Sequence, residues 1–255
     1  MHFSSRLKGL TKPKKVVKTY AKTLKKGIKT KKKRHTLKFL QVNCHKRALC
    51  NDYVYDRTKN IDSYIVLGQE PNCLTNKITT LDDTKNLIKG ISKFKSSEVK
   101  TWPRSFIYTN NMERSHTIEH LSDQDITTLL IDSKIAGVGK ILSCSVYCDR
   151  DKQGLPDKLH EAADMAKKEG YIFLAGGDFN ARNRLYGSNR TCPRGRLVEQ
   201  FMQDKNLDVC NIGNEPTYIS GKNQSTIDIT LVSAEYSHLI RNWTCLLYTS
   251  PSPRD

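Results

Sequence analysis

One short stretch of the chain, LAGGDFNARNRLYGSNR (174–190), combines residues whose types and spacing suit phosphate chemistry. Hydrophobic residues run into Gly176 and Gly177, and an acid and an amide follow two positions apart, at Asp178 and Asn180. A carboxylate binds hard cations and accepts protons, and an amide donates hydrogen bonds without adding negative charge. The stretch therefore predicts a strand whose tip holds a charged group.

Five arginines follow this strand tip, with no acidic residue among them: Arg182, Arg184, Arg190, Arg194 and Arg196. Arginine side chains bind the phosphates of a nucleic-acid backbone. The run predicts a DNA-backbone track beside the site; a solvated loop face is the alternative.

Other strand-like segments also carry a polar residue at or near their end, at Asn43, Glu70 and Tyr147, and Asp228 interrupts an apolar run. Asn43 could instead cap the next helix, and Tyr147 could be a core tyrosine. Asp228 is harder to explain structurally, because a lone buried carboxylate needs a partner or a metal.

Hydrophobic patterning predicts the elements that must position these residues. Strands are predicted at 37–43, 63–70, 105–109, 126–131, 140–148, 171–177, 207–211 and 225–233, and helices at 47–59, 155–170 and 194–206. Gly170 is predicted to be a helix C-cap, and residues 71–79 are predicted to be a loop. Strands that dominate, with helices between groups of them, indicate a two-layer sheet core with flanking helices.

The positive charge of the 255-residue chain is concentrated at its N-terminus. Residues 1–51 carry 17 Lys and Arg and no acidic residue, so that part alone accounts for the formal net charge of +17. Residues 1–36 are predicted to be a disordered basic arm that serves in nuclear import or nucleic-acid binding, which would place the protein in the nucleus. The alternatives are a solvated tail or upstream sequence misread as coding.

The sequence argues against two classes of protein, those that span a membrane and those that are secreted. No run of 18 apolar residues exists that could span a membrane, and the N-terminus lacks the apolar stretch of a secretory signal. Eight cysteines form no C-x-x-C pair, so reduced thiols are expected, and Cys144, Cys148 and Cys210 are predicted to pack as small hydrophobic residues.

The segments LQVN, GQE, SVY, GDFN and IDIT, in this order, resemble the endonuclease/exonuclease/phosphatase superfamily. The run from Gly177 to Ser233, with its R-G-R, G-N-E-P-T and S-T-I-D stretches, is more narrowly similar to the endonuclease domain of non-LTR retrotransposons. The resemblance covers about residues 37–243. It implies an α+β fold, a four-layer α/β/β/α sandwich of the DNase I type.

The resemblance also implies phosphodiester hydrolysis with Mg²⁺ (or Mn²⁺) and a water nucleophile, acting on DNA. The metal is expected at Glu70, with Asn43 beside it. Asp178 would orient or deprotonate the water, and Asn180 would hold a phosphate oxygen. Tyr147 would donate to the phosphate, and Asp228 would orient a catalytic histidine. A reverse transcriptase domain is expected downstream in the complete element.

The sequence departs from the family pattern near its end. The final Ser-Asp-His motif is absent, and His238, in YSHLI, is expected to be structural or at the surface. Residues 246–255 are expected to be a non-native tail, which leaves an incomplete domain at 37–245 that lacks its last strand. Such a fragment is expected to be impaired or inactive.

Three other functions remain open from sequence. They are an apurinic DNA-repair endonuclease, a catalytically dead nucleic-acid-binding remnant, and a phosphatase of the same fold. The C-P-R-G-R and G-N-E-P-T stretches favour the retrotransposon enzyme over the repair enzyme. The arginine run and the basic arm argue against a lipid phosphatase.

Overall fold

The computed structural model describes residues 36–74, 77–81, 86–89, 102–135, 137–213, 215–220 and 223–243. The predicted arm (1–36, apart from Thr36) and the predicted tail (246–255) lie outside these residues. No helix in the described ranges is long and apolar enough to cross a membrane.

Two sheets form the centre of the molecule. The first has the order β1-β2-β6-β5 and contains β1 (Lys38–Asn43), β2 (Tyr64–Gln69), β5 (Leu87–Lys89) and β6 (Ser105–Thr109). The second has the order β11-β14-β10-β9-β8-β7 and contains β7 (Ser115–Thr117), β8 (Ile126–Asp132), β9 (Lys140–Tyr147), β10 (Ile172–Asp178), β11 (Leu207–Val209) and β14 (Asp228–Ser233). Two short hairpins are separate, β3 (Cys73–Leu74) with β4 (Lys77–Ile78) and β12 (Tyr218–Ser220) with β13 (Asn223–Ser225).

Three helices cover the outer faces of the sheets: α1 (Ala48–Thr58), α2 (Asp157–Glu169) and α3 (Pro193–Lys205). Residues of α1 pack against the outer face of the first sheet, in a cluster with Tyr64 and Val66. Residues of α2 and α3 pack on the second sheet, in a cluster with Phe173 and Leu231. The result is a four-layer α/β/β/α sandwich, which confirms the predicted fold class.

The alternation of side chains along each strand builds the space between the sheets. In β2, Ile65 and Leu67 face the second sheet, whereas Tyr64 and Val66 face α1. In β10, Leu174 faces the first sheet in the same way. Every second residue of the central strands therefore points into the gap between the sheets.

The C-terminus of α2 and the N-terminus of α3 are each capped by a hydrogen bond from or to the residue that flanks the helix. Gly170 ends α2 in the left-handed conformation (φ 67°), and its N–H donates to the carbonyl of Ala166, as predicted for a glycine C-cap. Pro193 opens α3, and the Sγ of Cys192 accepts from the N–H of Gly195 at the N-cap. Burial of Cys144, Cys148 and Cys210 confirms their predicted packing, and these three cysteines are free thiols.

Some predicted elements need correction. Residues 71–79 are not a plain loop, because β3 and β4 pair within them. The segment 225–233 is two elements: Ser225 belongs to the β12–β13 hairpin, and the long strand begins at Asp228. The short strands β5, β7 and β12 were not predicted, since three residues are too few for a periodic pattern to emerge.

Candidate active site

Three polar side chains stand in one row across the second sheet. Asp178, the last residue of β10, pairs directly with Tyr147 of parallel β9 on one side and with Asp228 of antiparallel β14 on the other. Directly paired residues on neighbouring strands point to the same face of a sheet. The row therefore lies on the face that meets the first sheet.

The first sheet supplies Asn43 and Glu70 at the same end of the sandwich. The Nδ2 of Asn43 donates to Oδ2 of Asp178 at 2.9 Å, which joins the two sheets. Glu70 follows β2 directly and has a positive φ of 44°. Its N–H donates to the carbonyl of Arg104, and its carbonyl accepts from the N–H of Lys46. These bonds hold Glu70 in a left-handed conformation that ends the strand beside Asn43.

A polar layer beneath the row connects the sheets. The Nε2 of Gln41 donates to the carbonyl of Gly177 at 3.1 Å, and its Oε1 accepts from the hydroxyl of Thr230 at 2.8 Å. The buried Gln69 donates to the hydroxyl of Ser145 at 2.9 Å, and that hydroxyl donates to the carbonyl of Gly68. Because both sheets carry bonded partners in this layer, it fixes the spacing at which Asn43 meets Asp178.

The two glycines before Asp178 are required by close approach. A Cβ at Gly177 would lie 1.8 Å from the carbonyl oxygen of Val146, a backbone atom that cannot move aside. A Cβ at Gly176 would lie 2.8 Å from both Gln41 Oε1 and Leu67 Cδ1 of the opposite sheet. Glycine at these positions lets β9 and the first sheet pack closely around the end of β10.

Burial controls the ionisation of the row. Asp178 is 3% exposed, and this burial raises its pKa to about 6; the nearby Glu70 carboxylate adds to the rise, while a hydrogen bond from the Asn180 N–H opposes it. Burial, followed by repulsion from Asp178, raises the pKa of Asp228 well above its usual range. Burial likewise raises the pKa of Tyr147 to about 12. The tyrosine therefore stays protonated near neutral pH and can donate a hydrogen bond without carrying charge.

Asn180 lies at the mouth of the site with a positive φ of 47°. Its Nδ2 donates to the carbonyl of Cys148 at 2.9 Å, which leaves the second N–H of the amide without a bond in the described structure. Its Oδ1 accepts from the Nε of Arg150 at 2.9 Å. The amide is thus oriented by two partners, with an N–H left for an incoming oxygen.

Sequence reasoning missed several residues at this mouth. The Nδ1 of His45 lies 3.8 Å from Oε2 of Glu70, and burial is the main cause that lowers the pKa of this histidine. The guanidinium of Arg150 lies 5.9 Å from the ring centroid of Tyr218 on β12. Only two positions separate His45 from Asn43, which is the one sequence signal that could have found it.

The five arginines of the predicted track differ in their surroundings. Arg184, Arg190 and Arg196 are exposed. The Nη2 of Arg194 instead donates to the carbonyls of Asp149 (2.6 Å) and Lys152, so this guanidinium holds the loop after β9. Arg182 is half-buried, and its N–H and carbonyl anchor Cys192.

The site offers oxygen donors that suit a hard divalent cation. Mg²⁺ in proteins is commonly held by one or two carboxylates together with water and substrate phosphates. No three His, Cys, Asp or Glu side chains in the described ranges are close enough to bind a metal by themselves. Glu70 and Asn43 fit a Mg²⁺ site in which water and substrate phosphates supply the other ligands. Asn43 Oδ1 accepts one hydrogen bond, from the N–H of His45, so it keeps a second lone pair for the ion.

Asp228 keeps an unused acceptor. Its Oδ1 is buried and has no hydrogen-bond partner among the described residues. His238 does not supply one, because it lies exposed on the short 3-10 helix Ala234–Leu239, which follows the opposite end of β14. The six residues of β14 span about 17 Å. The expectation that His238 is a surface residue is confirmed.

Comparison with known proteins agrees with this architecture. The family described as "Endonuclease-reverse transcriptase" matches residues 141–252. The RNA-directed DNA polymerase from mobile element jockey of Drosophila melanogaster is 31% identical over 83 residues, which are 32% of this chain and 9% of that protein. The probable RNA-directed DNA polymerase from transposon BS of the same organism is 24% identical over 157 residues, 60% of this chain and 15% of that protein. The chain therefore spans less than a sixth of these relatives.

Solved structures share the fold. The endonuclease domain of TRAS1, a telomere-specific non-LTR retrotransposon, superposes with a TM-score of 0.58 at 18% identity, over 77% of this chain and 84% of that one. The catalytic domain of Xenopus laevis APE2 superposes with a TM-score of 0.54 at 12% identity, over 79% and 83%. At these identities the likeness is one of fold.

Proposed function

We propose that this chain, a member of the endonuclease/exonuclease/phosphatase superfamily similar to the endonuclease domains of non-LTR retrotransposons, is a Mg²⁺-dependent phosphodiesterase that nicks DNA. The observation that carries the proposal is the hydrogen bond from Asn43 to Asp178. It joins two sheets at the point where Glu70, Tyr147 and Asp228 also converge. Such a convergence of carboxylates, a phenol and amides suits attack by water on a phosphate.

In this proposal Asp178 orients the attacking water and accepts its proton. A carboxyl group with a pKa of about 6 is largely ionised near neutral pH, yet it is a stronger base than an ordinary aspartate. The bond from Asn43 to Oδ2 and the bond from the Asn180 N–H to Oδ1 fix the plane of the carboxylate. The Asp178 carboxylate is thereby held in the orientation that the water needs, and no side-chain movement is required before attack.

Tyr147 and Asn180 bind the phosphate. The protonated phenol and the spare amide N–H of Asn180 both donate hydrogen bonds to phosphate oxygens, and neither adds negative charge next to a dianion-like transition state. Glu70 and Asn43 would hold Mg²⁺, which would supply positive charge next to those oxygens. The exposed Arg184, Arg190 and Arg196 bind neighbouring phosphates of the strand.

We further propose that this 255-residue chain is a slow enzyme. The family role of Asp228 is to orient a histidine, yet its Oδ1 has no partner among the described residues. Loss of one acid/base group typically slows catalysis by about 10²- to 10⁴-fold. We propose that residues 37–245 form the catalytic unit and that the arm at 1–36 also binds DNA. We further propose that the protein acts in the nucleus, and that a reverse transcriptase domain follows this unit in the complete element.

A catalytically dead DNA-binding remnant is the alternative, and the observation that favours it is that Asp228 Oδ1 has no hydrogen-bond partner among the described residues. Conversion of supercoiled plasmid to open circles, in Mg²⁺ and in a chelator, separates the two. The proposed enzyme nicks slowly in Mg²⁺ and loses this activity in Asp178→Asn. A remnant binds the plasmid in a salt-dependent manner without Mg²⁺-dependent nicking, and a repair enzyme cuts only plasmid that contains apurinic sites.

A further inference from the structure

Arg104 occupies an unusual place beside the candidate active site. It immediately precedes β6, opposite the point where β2 ends, and its carbonyl accepts the N–H of Glu70 at 2.9 Å. Its own N–H donates to the carbonyl of Gln124, which lies just before β8 of the second sheet. The backbone of Arg104 is therefore held from both sheets, next to a proposed metal ligand.

The side chain of Arg104 makes a fork of charge-assisted bonds in the second sheet. Its Nε and Nη2 donate to the two carboxylate oxygens of Asp125, at 2.5 and 2.7 Å, and its Nη1 donates to Oδ2 of Asp149 at 2.6 Å. The side chains of Arg104 and Asp125 are 23% and 10% exposed. A half-buried, bidentate pair with a second carboxylate has one preferred geometry, so the guanidinium plane is fixed.

This fixed guanidinium lies against Tyr147. Its central carbon is 5.1 Å from the centroid of the phenol ring, within the range of a cation–π contact. The N–H of Tyr147 donates to the carbonyl of Asp125 at 2.8 Å. The same aspartate therefore anchors both the backbone of Tyr147 and the cation that covers its ring.

We propose that Arg104 is a positioning residue that aligns the phenol of Tyr147 with Glu70 across the gap between the sheets. Through its carbonyl it sets the end of β2 at Glu70, and through its guanidinium it sets the ring of Tyr147. This role rests on the proposed function of Tyr147 as a phosphate donor. Reaction rates are sensitive to such alignment, because a misplacement of about 1 Å can cost about 10²-fold in rate.

Two substitutions and a matched control test the role. Arg104→Met removes the cation and the fork, whereas Arg104→Lys keeps a cation but cannot pair bidentately. Lys152→Met is the control, because the exposed Lys152 also pairs with Asp125 (2.8 Å) but makes no contact with the ring of Tyr147 in the described part of the chain. An effect that comes only from a lost ion pair with Asp125 should appear in the Lys152→Met control as well as in the Arg104 variants.

The first measurement is a double-mutant cycle in Mg²⁺-dependent plasmid nicking, with Tyr147→Phe as the second substitution. We expect Arg104→Met to lower kcat by roughly 10- to 100-fold with little change in KM, and Arg104→Lys to recover part of the loss. In the Tyr147→Phe background the same substitution should cost less than about 3-fold, since the phenol is gone. An equal loss in both backgrounds overturns the proposal.

The second measurement does not depend on activity. In NMR spectra of protein with ¹³C-labelled tyrosine, Tyr147→Phe identifies the ring signals of Tyr147. We expect these signals to shift and broaden in Arg104→Met and to stay in place in Lys152→Met. Unchanged Tyr147 signals in a folded Arg104→Met protein overturn the proposal. If the native chain shows no Asp178-dependent nicking, the proposed function fails, while the alignment of Tyr147 by Arg104 is still decided by these spectra.

Discussion

Asp178 and Asp228 form a directly opposed pair of carboxylates on the neighbouring antiparallel strands β10 and β14. Both face the gap between the sheets, where burial raises the pKa of each. Of the four oxygens in the pair, Asp228 Oδ1 has no hydrogen-bond partner among the described residues. Burial and mutual repulsion therefore disfavour the state in which both carboxyl groups are ionised, and protonation or a nearby cation would relieve that repulsion.

The pair predicts a pH dependence of stability. Because the pKa of Asp178 is about 6 in the folded chain, against an ordinary 3.8, folding is favoured by its protonation. Its contribution is fully present below about pH 4 and is lost as the pH rises through about 6. In a chelator, Asp178→Asn should therefore gain stability over the native chain between pH 4 and 7, on the order of 1–3 kcal/mol.

Urea unfolding at a series of pH values measures this difference. Asp132→Asn is the control, since Asp132 is exposed at the end of β8 away from the site and should leave the pH profile unchanged. A native chain and an Asp178→Asn variant with parallel profiles would show that Asp178 is not held at a raised pKa.

Gly177→Ala should destabilise the chain by about 2 kcal/mol or more, because the new Cβ would collide with the carbonyl of Val146. Gly139→Ala is the matched control, since no atom lies within 4 Å of its added Cβ. Thermal unfolding compares the two. Equal melting temperatures for both variants would mean that β9 and β10 do not pack as closely as described.

Of the arginines that follow β10, some should contribute to DNA binding and others to stability. Arg196→Ala, at an exposed position, should weaken binding to a DNA duplex and reduce the salt slope by about 1, without changing the melting temperature. Arg194→Ala should instead lower the melting temperature, since two carbonyls of the loop after β9 lose their donor. Fluorescence anisotropy and thermal unfolding give the two readouts, and the same behaviour in both variants would contradict this division.

Deletion of residues 1–36 should weaken non-specific DNA binding by about 10-fold or more at low salt and flatten its salt dependence. The reason is the release of counterions by the 14 Lys and Arg of this segment. A chain in which these residues are replaced by Ser and Gly of equal length is the control for length alone. Unchanged affinity would show that residues 1–36 do not contribute to DNA binding.

Much of the architecture was predictable because the long strands carry strong signals. The strand 105–109 was predicted at the bounds the structure has, and the helix that ends at Gly170 was predicted from its glycine. Convergence of the strand ends could be inferred from the ordered motifs. The residues that were missed make contacts between distant parts of the chain, which a sequence pattern does not predict. Arg104 and Asp125, for example, are 21 positions apart and pair across the two sheets.

The predicted arginine track illustrates the same limit. Five arginines with no acid between them predicted one function, yet Arg194 donates to carbonyls of a loop more than 40 positions earlier. A run of like residues gives the charge of a surface, whereas the direction of each side chain depends on which groups the fold brings near it. Sequence alone therefore predicts which residues lie near the end of β10 better than it predicts the contacts of each side chain.

The proposed role of Asp178 in phosphodiester cleavage is measured by the rate of Mg²⁺-dependent plasmid nicking. The measurement compares the 255-residue chain with a chain extended through a family Ser-Asp-His strand, each with and without Asp178→Ala. We expect slow nicking by the shorter chain, nicking about 10²- to 10⁴-fold faster by the extended chain, and loss of both rates with Asp178→Ala. Nicking that survives Asp178→Ala, or an extended chain that folds and binds DNA but does not nick it, would contradict the account.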